Sequence, residues 1–229
     1  MVYLVIIPAR GGSKAIPKKN IADLNGQPLI NYTIQAAKNS GLSNIIVSTD
    51  SEEIGNIAKN KNVDVHHRSK ELSGDEVGML PVLADVALKY DGEFDSIICL
   101  QPTSPFRTAK HIIEAKNLFE TLINTDTLVS VVKVPHNMNP CSIMIERDGL
   151  LTPHQHQEKL ILRRQDKESF FARNGPAILI IKKSVLESRQ LYSDNVSAYV
   201  MDLLSSIDID NSDDLKIANL IFKNNSELL

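Results

Sequence analysis

The feature that most constrains the fold is a short apolar strand that leads directly into a loop of glycines and cations. Tyr3–Ile7 is continuously apolar and rich in β-branched residues, which is typical of a strand buried on both faces of a parallel sheet. Residues 8–20, called the cationic loop below, follow it and contain two adjacent glycines, one arginine and three lysines. Open α/β sheets bind ligands at the carboxyl ends of their strands. The cationic loop is therefore the first candidate binding site.

The rest of the chain alternates apolar runs with helical patterns. Further apolar runs lie at 44–48, 63–67, 95–100, 127–133 and 177–181. Helical patterns lie at about 28–40, 51–60, 77–90 and 108–122, and an amphipathic helix is predicted near 211–224. This alternation predicts an α/β fold with a doubly wound, mostly parallel sheet in a single domain over residues 1–229. Active-site residues are then expected just after the first, second and fourth strands.

The alternation breaks down in residues 135–175, which contain short apolar pieces and polar turns. Such a segment cannot easily bury its own apolar face, so packing against a second copy of the chain is a reasonable hypothesis. We interpret residues 135–175 as an inserted subregion for dimerisation. A monomer in solution would contradict the predicted homodimer.

The charge balance and the amino-terminal run argue against two classes of partner. The chain has 25 Lys and Arg residues against 28 Asp and Glu residues, a formal net charge of −3, which leaves no positive excess for a nucleic acid or an anionic membrane. The first apolar run ends after about eight residues, far short of the roughly 20 residues that cross a bilayer. We therefore expect no nucleic-acid or membrane partner, and a cytoplasmic location.

The composition of the cationic loop suits a polyphosphate. Glycines allow backbone N–H groups to approach phosphate oxygens closely, and Arg10 and the lysines can offset the charge that develops during transfer. Neither the Walker A pattern nor Gly-x-Gly-x-x-Gly occurs in the loop, which argues against P-loop kinases and NAD enzymes. A basic, solvated loop with glycines for turns is the alternative that composition leaves open.

Two acids near the carboxyl end form a second candidate site. Asp208 and Asp210 alternate with isoleucines, so an extended backbone would point both carboxylates to one side. The two charges repel unless a cation lies between them, and Mg²⁺ bound by carboxylates and a triphosphate meets that need. In the alternative interpretation, Asp210 caps the final helix and Asp208 is solvated.

Five segments together resemble a known family, the CMP-sialic acid synthetases. They keep the order and spacing of that family and span nearly the whole chain: Ile7–Asn20, Ile46–Asp50, Leu100–Arg107, Asn174-Gly175 and Ser206–Asp210. The resemblance implies a Rossmann-like nucleotidyltransferase fold and a homodimer. It also implies transfer of CMP from CTP to the anomeric 2-hydroxyl of a 2-keto-3-deoxy sugar acid, with release of pyrophosphate.

The resemblance also implies roles for individual residues. The catalytic cations would be Arg10, Lys14 and Lys19. The nucleotide would be bound by Ala9, Gly11, Gly12, Ser13, Asn20 and Arg68. The sugar acid would be bound by Gln101, Arg163, Arg164 and Asn174, which would make the inserted subregion 135–175 a sugar-binding subregion as well. Mg²⁺ would be held by Asp208 and Asp210. Three alternatives remain open: Gln101 in a strand-end turn, one of the two adjacent arginines at a surface or subunit contact, and Arg68 exposed to solvent. The histidines, including His66, are interpreted as structural or surface residues.

Several departures from the family pattern fall on the substrate side. Ala15 stands where glycine is usual, Gly74–Met79 replaces a serine-rich stretch, Ile178 replaces a tyrosine, and Pro140–Ser142 replaces a Pro-Leu-basic element. Phosphate chemistry therefore looks intact and sugar recognition altered, which favours a nonulosonic acid other than plain sialic acid, such as a legionaminic-type sugar. A nucleotidyltransferase for another sugar or, given Met79, another nucleotide is one alternative. A sugar-nucleotide sensor without turnover is the other.

Overall fold

The computed structural model describes residues 1–154 and 168–224. The strands, in chain order, are β1 (Tyr3–Pro8), β2 (Asp23–Leu24), β3 (Gln27–Pro28), β4 (Asn44–Thr49), β5 (Asp64–His67), β6 (Ser96–Cys99), β7 (Thr127–Lys133), β8 (Met144–Arg147), β9 (Leu150–Pro153), β10 (Phe171–Arg173), β11 (Leu179–Lys182) and β12 (Val196–Met201). The helices are α1 (Ile30–Asn39), α2 (Glu52–Asn60), α3 (Met79–Lys89), α4 (Ala109–Thr121), α5 (Lys183–Glu187) and α6 (Ser212–Asn224).

The central sheet is mostly parallel. Its order is β5-β4-β1-β6-β11-β7, and β10 and β12 also pair with β7. Strands β4 and β6 run parallel to β1, β5 runs parallel to β4, and β12 runs parallel to β7. Strand β10 is antiparallel to β7, and β11 is antiparallel to both β6 and β7. The chain places β4 on one side of β1 and β6 on the other, which is the topological switch point at which ligands bind in doubly wound sheets.

Helices cover both faces of the sheet, as the buried first strand predicts. The side chains of β1 alternate between two apolar clusters: Val5 and Ile7 pack with α1, α2 and α4, whereas Leu4 and Ile6 pack with α3 and α5. All four of these residues have no exposed surface. Continuous apolar sequence is required because each face of β1 meets a helical layer. The predicted doubly wound fold is confirmed.

The last helix fixes the position of the carboxyl-terminal acids. Ala218 and Phe222 of α6 are buried in a third apolar cluster that also contains Ile209. The ring of Phe222 stacks on Phe106 with a centroid separation of 4.7 Å. Because Phe106 belongs to the loop after β6, this packing draws the segment that precedes α6 to the carboxyl end of β6.

The described part of residues 135–175 leaves the central sheet only up to residue 154, because Phe171–Arg173 returns to it as β10 and pairs with β7; the predicted excursion is therefore too long at its carboxyl end. Strands β8 and β9 form an antiparallel hairpin, and Asp148 and Gly149 at its turn both adopt positive φ angles. Large apolar side chains of this excursion are exposed, among them Met144, Leu150 and Leu151. Within residues 1–154 and 168–224, no helix is long and apolar enough to span a membrane.

Candidate active site

A cleft of about 250 Å³ lies at the carboxyl ends of the central strands. Its walls come from the cationic loop after β1, from residues 68–79 after β5, and from residues 101–103 after β6. Of the predicted site residues, the cleft is lined by Arg10, Gly12, Ser13, Lys19, Asn20, Arg68 and Gln101. The sheet therefore brings together side chains that are up to about 90 residues apart in the sequence.

Internal hydrogen bonds hold the shape of the cationic loop. The Gly11 N–H donates to Asp50 Oδ1 at 2.8 Å, and the Asn20 amide donates to the Arg10 carbonyl at 2.9 Å. A Cβ atom on Gly11 would lie 2.9 Å from the Cβ of Ser51, which is closer than real Cβ atoms approach. Glycine is therefore needed at position 11 to pack the loop against the end of β4, and Asn20 closes the loop on itself.

A carboxylate lies between two of the predicted catalytic cations. Arg10 Nη1 is 2.7 Å from Asp75 Oδ1, and Lys14 Nζ is 3.0 Å from Asp75 Oδ2. The hydrogen bond from Lys14, together with the charges of Lys14 and Arg10, holds the pKa of Asp75 below its usual value. Asp75 thus presents two anionic oxygens where a phosphate group would meet the same two cations. This contact was not predicted. From the sequence, residues 74–79 were interpreted only as a segment in which the serines of the family pattern are replaced.

Lys19 connects the amino-terminal loop with the carboxyl-terminal acids. Its Nζ donates to the Ile209 carbonyl at 2.9 Å and to Asp210 Oδ1 at 3.2 Å, and its side chain is only 17% exposed. The Ile209 N–H donates to the Thr103 carbonyl at 2.8 Å. Since Lys19 and Thr103 both line the cleft, the segment that carries the two acids is bonded to residues of the cleft wall.

The two acids have different environments. Asp208 is partly buried, and its Oδ1 is buried without a hydrogen-bond partner. Burial raises the pKa of Asp208; the nearby Thr103 hydroxyl and the positive charge of Lys19 oppose the rise, and the negative charge of Asp210 adds to it. Asp210 is exposed. An unpartnered carboxylate oxygen beside a second carboxylate is an arrangement that a hard cation would stabilise.

The N-terminal cap of α6 decides whether Asp210 caps this helix, which was the alternative to a role in metal binding. Asn211 Oδ1 accepts from the N–H groups of Asp213 and Asp214, and the Asp214 carboxylate accepts from the N–H groups of Asn211 and Asp210. Asn211 is therefore the N-cap. The carboxylate of Asp210 is left to pair with Lys19, so the structure does not support the helix-cap role for Asp210.

Among the described residues, no group of three or more His, Cys, Asp or Glu side chains could hold a metal ion by itself. Mg²⁺ is commonly bound through one or two carboxylates, substrate phosphates and water. Asp208 and Asp210 fit that kind of shared site, because the cleft with its cations adjoins them.

Two predicted binding residues are engaged in the protein interior. Ala9 is fully buried, and its N–H donates to the Ser48 carbonyl. Asn174 is 5% exposed. Its Oδ1 accepts from Ser130 Oγ at 2.6 Å, and its Nδ2 donates to Ser206 Oγ at 2.9 Å. Asn174 therefore ties β7 to the segment that carries the acids and has no free amide group for a sugar.

The neighbour of Asn174 explains why glycine follows it. Gly175 has a φ of +116°, and a Cβ there would lie 3.4 Å from Asp208 Oδ2. The Asn174-Gly175 pair thus permits the close approach of the backbone to Asp208.

Gln101 stands between the first cleft and a second cleft of about 410 Å³. Its Nε2 donates to the Gly175 carbonyl at 2.8 Å. The second cleft is also lined by Met79, Arg173 and Tyr192, and the Arg173 guanidinium lies 5.0 Å from the centroid of the Tyr192 ring. Arg173 was missed in the sequence, although its position before Asn174-Gly175 offered a signal. Arg163 and Arg164 lie outside the described residues.

A buried arginine, Arg107, holds the loop after β6 against the loop before β11. Arg107 is 1% exposed and donates to the carbonyls of Gln101 at 2.9 Å and Ala177 at 3.0 Å. Burial lowers the pKa of Arg107 to about 10, so it remains charged at neutral pH. The guanidinium therefore joins the end of β6 to the loop before β11.

Comparison with known proteins identifies the family. Residues 4–228 match the family described as cytidylyltransferase. The chain is 32% identical to the CMP-N,N'-diacetyllegionaminic acid synthase of Legionella pneumophila, with all of both chains covered. It is 34% identical to the N-acylneuraminate cytidylyltransferase of Escherichia coli over 94% of this chain, but it spans only about half (51%) of that relative's length.

Solved structures support the fold. A CMP:2-keto-3-deoxy-manno-octonic acid synthetase complexed with CTP superposes with a TM-score of 0.73 at 15% identity, covering 98% of this chain and 100% of that one. The resemblance that the five sequence segments indicated is confirmed by the family match and the relatives. The chain belongs to the cytidylyltransferase family.

Proposed function

We propose that the chain transfers CMP from CTP to the anomeric 2-hydroxyl of a nonulosonic acid. In this reaction the sugar hydroxyl releases its proton to solvent, its oxygen forms a bond to the α-phosphorus of CTP, the bond from that phosphorus to the α–β bridging oxygen breaks, and pyrophosphate leaves. The observation that carries the proposal is the contact of Lys19 with Ile209 and Asp210, which joins the cationic loop and the acids at one cleft.

The cationic loop suits the triphosphate of CTP. Arg10 and Lys14 already hold a carboxylate, Asp75, at ion-pair distance, so a phosphate group can take its place once Asp75 moves aside. Gly12 and Ser13 line the same wall. Positioning and charge stabilisation dominate phosphoryl-type transfer, and these residues supply both.

Asp208 and Asp210 would hold Mg²⁺ together with the triphosphate. When bound, the ion would neutralise charge on the triphosphate and on the departing pyrophosphate. Asp208 supplies a buried oxygen that otherwise has no partner, and Lys19 adds a fixed positive charge beside Asp210.

The second cleft suits the acceptor sugar acid. Gln101 borders both clefts, and Arg173 offers a planar guanidinium that matches a carboxylate. A legionaminic-type acceptor is supported by the full-length similarity to the Legionella pneumophila protein. Arg163 and Arg164 remain predicted sugar contacts.

The homodimer and the cytoplasmic location remain part of the proposal. Exposed apolar side chains of the β8–β9 hairpin, Met144, Leu150 and Leu151, support contact with a second copy. Sedimentation equilibrium of the wild-type chain tests it: a dimer is expected, and a monomer at all concentrations would contradict it.

One experiment tests the reaction. Pyrophosphate release is measured with each of the four nucleoside triphosphates against a panel of 2-keto-3-deoxy acids and sugar phosphates, with and without Mg²⁺. Release with CTP and a nonulosonic acid, dependent on Mg²⁺, is expected. Release with a different nucleotide or a sugar phosphate would indicate another nucleotidyltransferase, and tight binding without release would indicate a sensor.

A further inference from the structure

A series of polar side chains extends from the first cleft to helix α3. Arg68, which lines the cleft, donates from Nε to Ser48 Oγ at 3.3 Å and from Nη2 to the Ser48 carbonyl at 2.8 Å. Ser48 Oγ is also 3.2 Å from His66 Nδ1. On the far side of the ring, His66 Nε2 is 3.1 Å from Asp85 Oδ2. Three elements, β4, β5 and α3, thus contribute side chains behind one guanidinium.

The contacts are consistent with one assignment of donors and acceptors. The Arg68 guanidinium can only donate, so Ser48 Oγ accepts from it, and the Ser48 hydroxyl hydrogen is available to His66 Nδ1. In this assignment Nδ1 is unprotonated and the ring proton lies on Nε2, facing Asp85. His66 Nε2 and Asp85 Oδ2 lie 3.1 Å apart as an ion-pair contact, and neither of these buried atoms has a hydrogen-bond partner. Asp85 is therefore the group that favours this tautomer.

The surroundings of His66 keep its ring neutral. Burial lowers the pKa of His66; the positive charges of Lys89 and Arg68 and the neighbouring His67 act in the same direction, and Asp85 opposes them. Lys89 also pairs with the other oxygen of Asp85 at 2.8 Å. A neutral ring is the form that can accept from Ser48.

The order Ser48, His66, Asp85 has the composition of a hydrolytic triad, but the burial excludes that role. Ser48 has no exposed surface, and its Oγ is engaged by Arg68 and His66. The side chains of Ser48, His66 and Asp85 therefore act on Arg68. Without them, the Arg68 guanidinium would lose its Nε contact and be free to rotate away from the cleft.

We propose that Ser48, His66 and Asp85 form a positioning chain that holds the Arg68 guanidinium in the orientation that binds CTP. The inference rests on the proposed function, because it requires that CTP occupy the cleft that Arg68 lines. It assigns His66 a role that the sequence analysis did not give it.

A double-mutant cycle on CTP affinity tests the positioning chain. Dissociation constants for CTP are measured by titration calorimetry for the wild type, Arg68→Ala, His66→Ala and the double variant. Each single change is expected to weaken binding on the order of tenfold, the size of one charge-assisted hydrogen bond. The double variant is expected to bind no more weakly than Arg68→Ala, because His66 acts through Arg68. Additive losses, or no loss with His66→Ala, would overturn the inference.

Further variants separate positioning from folding. His66→Asn keeps an acceptor near the Nδ1 position and is expected to restore most of the affinity. Exposed His67→Ala is the matched control and should leave the affinity unchanged. If His66→Ala does not fold, Asp85→Ala replaces it in the cycle, with the same expected result and the same overturning result. A wild-type chain that binds no CTP would overturn the proposed function and this inference together, whereas normal CTP binding that the cycle variants leave unchanged overturns only the inference.

Discussion

The two clefts are built in different ways. The first cleft is formed by loops that leave parallel strands directly: the cationic loop after β1 and the turns after β5 and β6. The second cleft combines antiparallel strands and a late loop, with Arg173 on β10, Leu179 on β11 and Tyr192 beyond α5. The positions of the strand ends determine the lining of the first cleft. The lining of the second cleft depends on which segments from the carboxyl-terminal part of the chain pack against the sheet.

This difference has a chemical counterpart. At the first cleft, each predicted catalytic cation has a defined ionic partner: Asp75 for Arg10 and Lys14, and Asp210 for Lys19. In the second cleft, the described cation, Arg173, is exposed and rests on an aromatic ring. Charge is therefore concentrated where a triphosphate would bind, and substitutions there should have larger effects than substitutions on the acceptor side.

The largest effect is expected at Asp208. Asp208→Asn should reduce pyrophosphate release about a thousandfold or more, because it removes a carboxylate from the proposed Mg²⁺ site. The raised pKa means that the folded chain favours the protonated acid. Its stability therefore falls as the pH rises from the ordinary aspartate pKa through the raised one. At neutral pH the neutral amide avoids that loss, so the melting temperature should be nearly unchanged or slightly higher.

A matched control for this change is available on α6. Asp213 is exposed and pairs with Lys216, so Asp213→Asn should retain activity. Wild-type turnover of Asp208→Asn in a pyrophosphate-release assay would remove the proposed metal site.

The next effect is expected at Lys19. Lys19→Ala should lower kcat/KM for CTP about a hundredfold, since it removes a preorganised charge from the cleft together with the link to Ile209 and Asp210. Lys18 is the neighbouring comparator: its Nζ pairs with Glu53, away from the residues that line the cleft. Steady-state kinetics should show a much smaller loss for Lys18→Ala, and equal losses would contradict a specific role for Lys19.

The sequence predicted the loops that line the first cleft better than the elements that line the second cleft, for a physical reason. The run Tyr3–Ile7, buried on both faces, fixes the position of the cationic loop without any long-range information. The predicted strands at 44–48, 63–67, 95–100, 127–133 and 177–181 all occur, with small shifts at their ends. Buried apolar runs that alternate with helical patterns are thus sufficient to predict the parallel part of the sheet.

The missed features depend on tertiary contacts. Strand β12 lies at the edge of the sheet against β7, and its exposed Val196 and Val200 give no clear buried pattern. Asn174 was predicted to bind sugar, and only the structure shows that Ser130 and Ser206 occupy its amide. The Asp75 contact likewise joins residues more than 60 positions apart.

A moderate effect is expected on the acceptor side. Arg173→Ala should raise KM for the sugar acid about tenfold, the size of one lost charge-assisted contact, and should leave KM for CTP within about twofold. Arg189 is exposed in the loop beyond α5 and does not line the second cleft, so Arg189→Ala should change neither constant. Kinetics with each substrate varied in turn provide the measurement. A rise in KM for CTP alone would contradict the proposed contact of Arg173 with the sugar acid.

The smallest effect is expected at Asp75. If this carboxylate occupies the place of a phosphate between Arg10 and Lys14, CTP must displace it, and Asp75→Asn should lower the dissociation constant for CTP by about two- to threefold. The gain is small because exposed ion pairs contribute little. Adjacent Glu76→Gln, which removes a charge outside the lining of the cleft, should leave the affinity unchanged. Calorimetric titration at low ionic strength gives the most sensitive measurement, because screening weakens exposed pairs. Weaker binding by Asp75→Asn would instead show that the carboxylate supports the nucleotide site and does not compete with the triphosphate.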